Sequence, residues 1–228
     1  MKFGTPVFNE KGRAMNPRSK WLILFLFFIA LSACAKKQQD SQIALESIEK
    51  VRQLVAEENY RKLGFQSLDE VERMTLGEPI PIYFVGLETI QKFNAGDDPN
   101  ALLGQPHERL YPVLVDGNVR CSLGMKQDGG EWQVTSFGKP GIARGLARVR
   151  DNHADASPLE KEDYFAVEIP SLYLIFIGHK TGDALMLTHV HEHGDLGFDV
   201  GETEPAADVF AKIAASAVAH KGALPSAL

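Results

Sequence analysis

Hydrophobic positions along this chain recur with two different periods, and each change of period marks an expected element. Ile43, Leu45, Ile48, Val51, Leu54 and Val55 fall at helical spacing with charged residues between them, and Gly64 is a natural stop. The pattern predicts an amphipathic helix of about 20 residues whose apolar stripe packs on the domain. Ser67-Leu68-Asp69-Glu70 has the form of a capping box, in which hydroxyl and carboxylate satisfy reciprocal backbone donors, so a short helix is expected from Leu68 to about Leu76. Gly77-Glu78-Pro79 breaks it. Ile80 to Val85 reads as a strand, and Pro81, which lacks a ladder donor, argues for a sheet edge. Leu87 to Phe93 suits a second short helix, and Asn94 to His107 is rich in loop formers.

Period two then takes over. Leu110 to Val115 and Asn118 to Met125 flank Asp116-Gly117, a pair that supplies the positive φ angles of a tight hairpin turn. A second turn at Gln127–Gly130 leads into Glu131 to Phe137, which completes a three-stranded meander. Val119, Cys121, Leu123 and Met125 alternate onto one face, and Trp132 and Val134 share a face of the third strand. Pro140 to Arg150 looks helical, with Ile142, Leu146 and Val149 inward and Arg144, Arg148 and Arg150 outward. Asp151 to Leu159 is polar and reads as a link. Tyr164 to Ile169, Leu172 to His179 and Ala184 to His191 form a second β unit, with the last pair turning at Thr181-Gly182. An Ala-rich helix from Asp208 to Ala219 closes the chain.

These elements predict an α+β fold: antiparallel sheet units packed with several helices. The expected organisation is a signal segment over 1–33, a short polar tether over 34–42 and a soluble domain over 43–228. That domain is either a single body or two joined halves meeting near 151–159.

The amino-terminal segment has its own logic. Residues 21–32 are uncharged and strongly apolar, and Arg18 and Lys20 stand just ahead of them. The run is short of the roughly 20 residues a membrane-spanning helix needs, but it suits the apolar region of a secretory signal. It ends in Leu31-Ser32-Ala33-Cys34. This resembles the lipobox of bacterial lipoproteins, in which diacylglycerol is attached to the cysteine sulfur and the signal is cut just before it. The plainer alternative is an uncleaved anchor with an incidental thiol at Cys34. Met15 would give a start of more usual length for such a signal. The resemblance implies a stable membrane tether, because a lipoprotein cysteine carries at least two acyl chains. It also implies the outer membrane in a Gram-negative cell, since Ala35 replaces the Asp associated there with inner-membrane retention.

Charge narrows the partners. The chain carries net −6, but residues 1–33 hold five basic residues against Glu10 alone, which leaves a body of net −10. Such a body repels phosphates, so no nucleic-acid partner is expected. A disulfide between the two cysteines, Cys34 and Cys121, is impossible if Cys34 is lipidated. Cys121 reads as a buried apolar thiol.

The most suggestive chemistry is His189-Val190-His191-Glu192-His193. On a continuous strand three imidazoles would share one face, about 7 Å apart at successive steps. Imidazole is a ligand for zinc and copper, but one metal requires nitrogens within about 2.0–2.1 Å of it, so the third would need a bend, which Gly194 offers. The plainer reading is a solvated strand end. His179 is expected on the opposite face. The arginine face suits solvated intramolecular pairs. Asp97-Asp98 lacks the spacing of a calcium loop, and Glu160, Glu162 and Asp163 read as a solvated run. The leading expectation is a non-enzymatic envelope lipoprotein that binds a protein partner. A metal-binding protein using His189, His191 and His193 is the alternative.

Overall fold

The computed structural model describes residues 40–94, 96–191 and 196–219. The chain divides into two units, Met1–Gln42 and Ile43–Leu228, and the sheet and every helical residue from Ile43 on belong to the second. Backbone is helical over 40–52 (α1). Short helices follow at Asp69–Glu72 (α2) and Leu87–Ile90 (α3), and longer ones at Pro140–Ala156 (α4) and Ala206–Ala219 (α5). The strands are Thr75–Leu76 (β1), Ile80–Phe84 (β2), Glu108–Val115 (β3), Asn118–Asp128 (β4), Glu131–Gly138 (β5), Phe165–Ile169 (β6), Leu174–Thr181 (β7), Ala184–His189 (β8) and Thr203–Pro205 (β9). Among the described residues all nine form one sheet in the order β5-β4-β3-β2-β6-β7-β8-β9, with β1 beside β3. Every pairing is antiparallel except β2 with β6. The fold is α+β.

Register assigns the faces. Ile80 and Ile82 on β2, Leu110 on β3, Ala166 on β6 and Ile177 on β7 meet Leu146 and Val149 of α4. The opposite face carries two clusters. Tyr111, Val113, Cys121 and Leu123 pack against Ala44, Ile48 and Val51 of α1. Val167, Phe176 and Leu187 pack against Val209, Phe210 and Ile213 of α5. Fully burying one such aliphatic side chain contributes about 1.5–3 kcal/mol, so these layers hold the sheet in shape.

The meander forms where the sequence places it. Asp116 (φ 51°) and Gly117 (φ 77°) both turn left-handed, as do Gly129 and Gly130 at the second hairpin. One refinement is a bulge on β4: Val113 pairs with Cys121 but Leu114 pairs with Val119, so Arg120 is the inserted residue. Bulges re-aim side chains. Here Arg120 donates from Nη2 to Oε1 of Glu70 and from Nε to Oε2 at 3.0 Å. The alternation of buried residues starts beyond the bulge, at Cys121, and Val119 is only half-buried.

Glu70 therefore makes no capping box. Its carboxylate accepts from the guanidinium and from the N–H of Gln66 (2.8 Å), and α2 is a single turn starting after Leu68. The carboxylate takes the distant guanidinium rather than the Ser67 N–H, because a two-pronged bond between two ionised groups is the stronger one.

Other expectations change for equally local reasons. The first helix stops near residue 52, since Asn59 accepts from the N–H of Ala56 and donates to the carbonyl of Leu54, drawing the chain into turns. Leu54 is left 72% exposed. β2 is interior, not at an edge. Its ladder to β6 starts at Ile82, one residue after Pro81, so the missing donor falls ahead of it. The expected link after Arg150 is helical to Ala156. Arg150 itself is buried, donating to the carbonyl of Glu78 (2.9 Å) and to Asp151 (3.0 Å). The β7–β8 turn is Gly182-Asp183, since Thr181 pairs with Ala184.

Glu70 makes the buried pair testable. Burial raises its carboxyl pKa, but the bonds from Arg120 and Gln66 outweigh that and leave it below the ordinary value. A depressed folded-state pKa means stabilisation that is complete above the unfolded value and is lost as pH falls through the folded one. Glu70→Gln is expected to cost roughly 3 kcal/mol at pH 7, because it strips a mostly buried guanidinium of its counter-charge. The deficit should shrink towards acid. Urea unfolding across pH checks this; a variant as stable as the wild type at pH 7 would show that the pair is energetically idle.

Candidate functional site

The three histidines of the expected cluster do not continue along one strand through the described residues. β8 ends at His189, whose ring packs between Phe176 (5.2 Å) and Phe198 (5.5 Å) on the α5 side. Val190 donates to the carbonyl of Ile175 and joins the α4-side cluster. The chain then bends. A side chain built on Gly145 of α4 would lie 2.8 Å from Cε1 of His191 and 2.9 Å from Val190, so His191 also lies against α4. His189 and His191 thus leave on opposite sides of the sheet. His193 and Cys34 lie outside the described residues. Among the described residues, no group of three His, Cys, Asp or Glu is placed to hold a metal ion.

His179 pairs with Met186 and faces away from His189, the side expected from alternation. It joins a second polar cluster. Its ring lies 5.4 Å from that of Tyr164 and 6.1 Å from that of His153. His153 Nε2 lies 3.3 Å from the Thr188 hydroxyl and 3.4 Å from that of Thr203. Burial, reinforced by His153, holds the His179 pKa below the usual imidazole value.

The remaining sequence candidates have structural explanations. Asp97 and Asp98 accept from nearby backbone N–H groups of Asn94 and Asn100. Glu160 and Asp163 form a capping box around a 3-10 turn. Arg144 and Arg148 are exposed. Cys121 is fully buried, and that burial pushes its thiol up to about 12, only partly opposed by Arg144.

A pocket that the sequence reading missed lies where β6 ends, on the side of His191. It has a volume of about 310 Å³ and is lined by Ile142, Glu168, Pro170, Tyr173, Leu174, Ile175 and His191. Glu168 is the penultimate residue of β6, paired with Phe84 on one side and Ile175 on the other. Burial raises its pKa; Lys139 opposes this, Glu108 adds to it, and Lys126 opposes it. Glu108 is buried at the start of β3, and a side chain built on Gly124 would collide with its Oε1. The absent Cβ of that glycine makes room for the second carboxylate.

Tyr173 forms the rim. Pro170-Ser171-Leu172 makes a 3-10 turn, and Tyr173 caps it in the left-handed region (φ 53°) with its N–H on the Pro170 carbonyl. That conformation costs a non-glycine residue on the order of 1–2 kcal/mol. It places a ring that is 84% exposed at the pocket mouth. His191 supplies an imidazole whose pKa is lowered by burial and by the charge of Arg148, so the ring is neutral at pH 7.

Two signals for this site were present in the sequence. Glu168 is a lone charge in Phe-Ala-Val-Glu-Ile, and Pro170 follows directly. The partners of Glu168 were not visible, because they come from β2, β3, β7 and α4. Compared with family models, with curated proteins and with solved structures, the chain matches none.

Two outcomes are expected. Cys121 should react with a thiol reagent only on unfolding, since the thiolate is scarce and sealed in; rapid labelling of native protein would refute its place in the core. Glu168→Gln should raise Tm at pH 7. A carboxyl whose folded-state pKa is raised loses stability as pH climbs from the unfolded value through the folded one, and the amide does not. The gain should shrink below that window, as read by thermal unfolding at several pH values. A variant less stable than the wild type at pH 7 would show that the carboxylate is structural.

Proposed function

We propose that this chain is an exported lipoprotein, fixed to the cell envelope by lipid on Cys34, whose body binds an envelope partner through the Glu168 pocket and carries no reaction of its own. The observation that carries this reading is the order of parts: positive flank, apolar run, Leu31-Ser32-Ala33-Cys34, a polar stretch, then a folded α+β body. A lipid on the cysteine sulfur would hold that body at a surface, where a local partner is met at high effective concentration. Ala35 favours the outer membrane in a Gram-negative cell.

Binding without turnover is supported by the state of the remaining thiol, which is buried and held protonated. The pocket is mainly apolar with three polar groups at its wall and rim, the usual make-up of a recognition site. Among the described residues, no helix is long and apolar enough to cross a membrane. The net −10 body disfavours nucleic acid as partner.

Expression of the full chain in bacteria fed an alkyne-bearing palmitate tests the anchor. The expected product is a labelled protein in the membrane fraction whose amino terminus is modified Cys34. Cys34→Ala should remain unlabelled and uncleaved. Mass spectrometry that found wild-type protein with an unmodified Cys34 thiol would overturn the proposal.

A further inference from the structure

Glu168 stands at the pocket wall in an unusual position for a carboxylate. It is half-buried on an interior strand and, among the described residues, receives no hydrogen bond on its side chain. Its nearest cations do not close on it. Lys126 and Lys139 are within electrostatic reach but neither forms an ion pair with it; the Lys126 ammonium stands 5.6 Å from the centre of the Phe84 ring instead. Glu108 offsets part of their pull. An anion half out of water and facing a cavity is stabilised by whatever cation enters that cavity.

Tyr173 is a second and independent sign. Its left-handed backbone is the strained alternative, and the strain carries an aromatic ring into solvent at the mouth of the same cavity. Outlying backbone conformations persist where the surroundings enforce them and cluster at binding sites. An aromatic face beside a carboxylate is the pairing that recognises ammonium groups. Between the two polar points the wall is hydrocarbon, from Ile142, Pro170, Leu174 and Ile175. The volume, about 310 Å³, fits a short stem rather than a bulky ligand. The neutral imidazole of His191 adds a hydrogen-bonding group without a competing charge.

We propose that this pocket binds an organic ammonium group on a short apolar stem, with the charge paired to Glu168, the stem against Ile142, Leu174 and Ile175, and the ring of Tyr173 over the entrance. The inference rests on the reading that the body binds its partner here. It names the chemistry of that partner: a free amine, or the basic side chain of a protein.

Calorimetric titration of the full chain in detergent at pH 7.5, a condition chosen to keep carboxylates ionised (about three units above their reference values), provides the test. The probes are benzylamine, its neutral analogue benzyl alcohol, its anionic analogue benzoate, and Nα-acetyl-lysine methylamide. Benzylamine should bind about tenfold more tightly than benzyl alcohol, the equivalent of one modest ionic contact. Glu168→Gln should abolish that preference. Tyr173→Ala, at an exposed position that leaves folding intact, should weaken the amine more than the alcohol. Tighter binding of the blocked lysine than of benzylamine assigns the site to a protein side chain, and the reverse assigns it to a free amine. Equal binding of the three benzyl compounds, a preference for benzoate, or no binding of either amine overturns the inference. None of these results bears on whether Cys34 is lipidated, so the anchor and the pocket stand or fall separately.

Discussion

The parallel ladder between β2 and β6 is the constraint on which the rest of this molecule depends. Antiparallel neighbours need only a tight turn between them, but a parallel pair must be joined by a long crossover. Here the crossover is the whole stretch from α3 through the meander to α4 and the 3-10 turn before β6. Closing so long a loop costs entropy before any contact repays it. Repayment comes from the three pairs Ile82–Ala166, Tyr83–Val167 and Phe84–Glu168, extended by the Val85 N–H donating to the Glu168 carbonyl, and from the core on both faces. This ladder turns two antiparallel systems into one sheet. It also sets Glu168 beside Phe84, within range of the lysines from β4 and from the start of α4.

The α4 face shows how the site follows from that ladder. Ile80, Ile82 and Ala166 give α4 an apolar bed, and Leu146 and Val149 fill it. Near the amino-terminal end of α4 the bed changes character, since Glu168 replaces a hydrophobic residue on the same face of β6 and Glu108 does so at the start of β3. Ile142, one helical turn before Leu146, therefore bounds a cavity rather than a core. The packed helix and the open pocket are parts of one surface, divided by a change from hydrocarbon to carboxylate.

Local chemistry made much of this fold legible in the sequence. Asp116-Gly117 and Gly129-Gly130 dictate their turns through positive φ, and the alternation around Cys121 sets the buried face of β4. What could not be read involved choices between local and distant partners. Glu70 had the backbone N–H of Ser67 three residues away and bonds instead to the N–H of Gln66 and to Arg120, fifty residues on, because a one-residue bulge turns that arginine towards it. Pro81 looked like an edge residue because nothing in its neighbourhood reveals where a parallel ladder begins. The pocket was hidden for the same reason: its wall is assembled from residues between 142 and 191 that touch only once α4 lies across the strands. The histidine run was the opposite case, conspicuous in sequence yet parted in space after His189.

Gly145 has a mechanical consequence for that arrangement. With only hydrogen on its Cα, α4 settles against Val190 and His191 closer than any side chain would permit. Ile142 rides on the same helix and His191 on the opposing segment, so the span between these two walls is gauged by the width of a missing methyl group. A single carbon inserted there would act as a wedge and pry the walls apart from behind. The calibre of the opening is thus determined by a residue that does not line it.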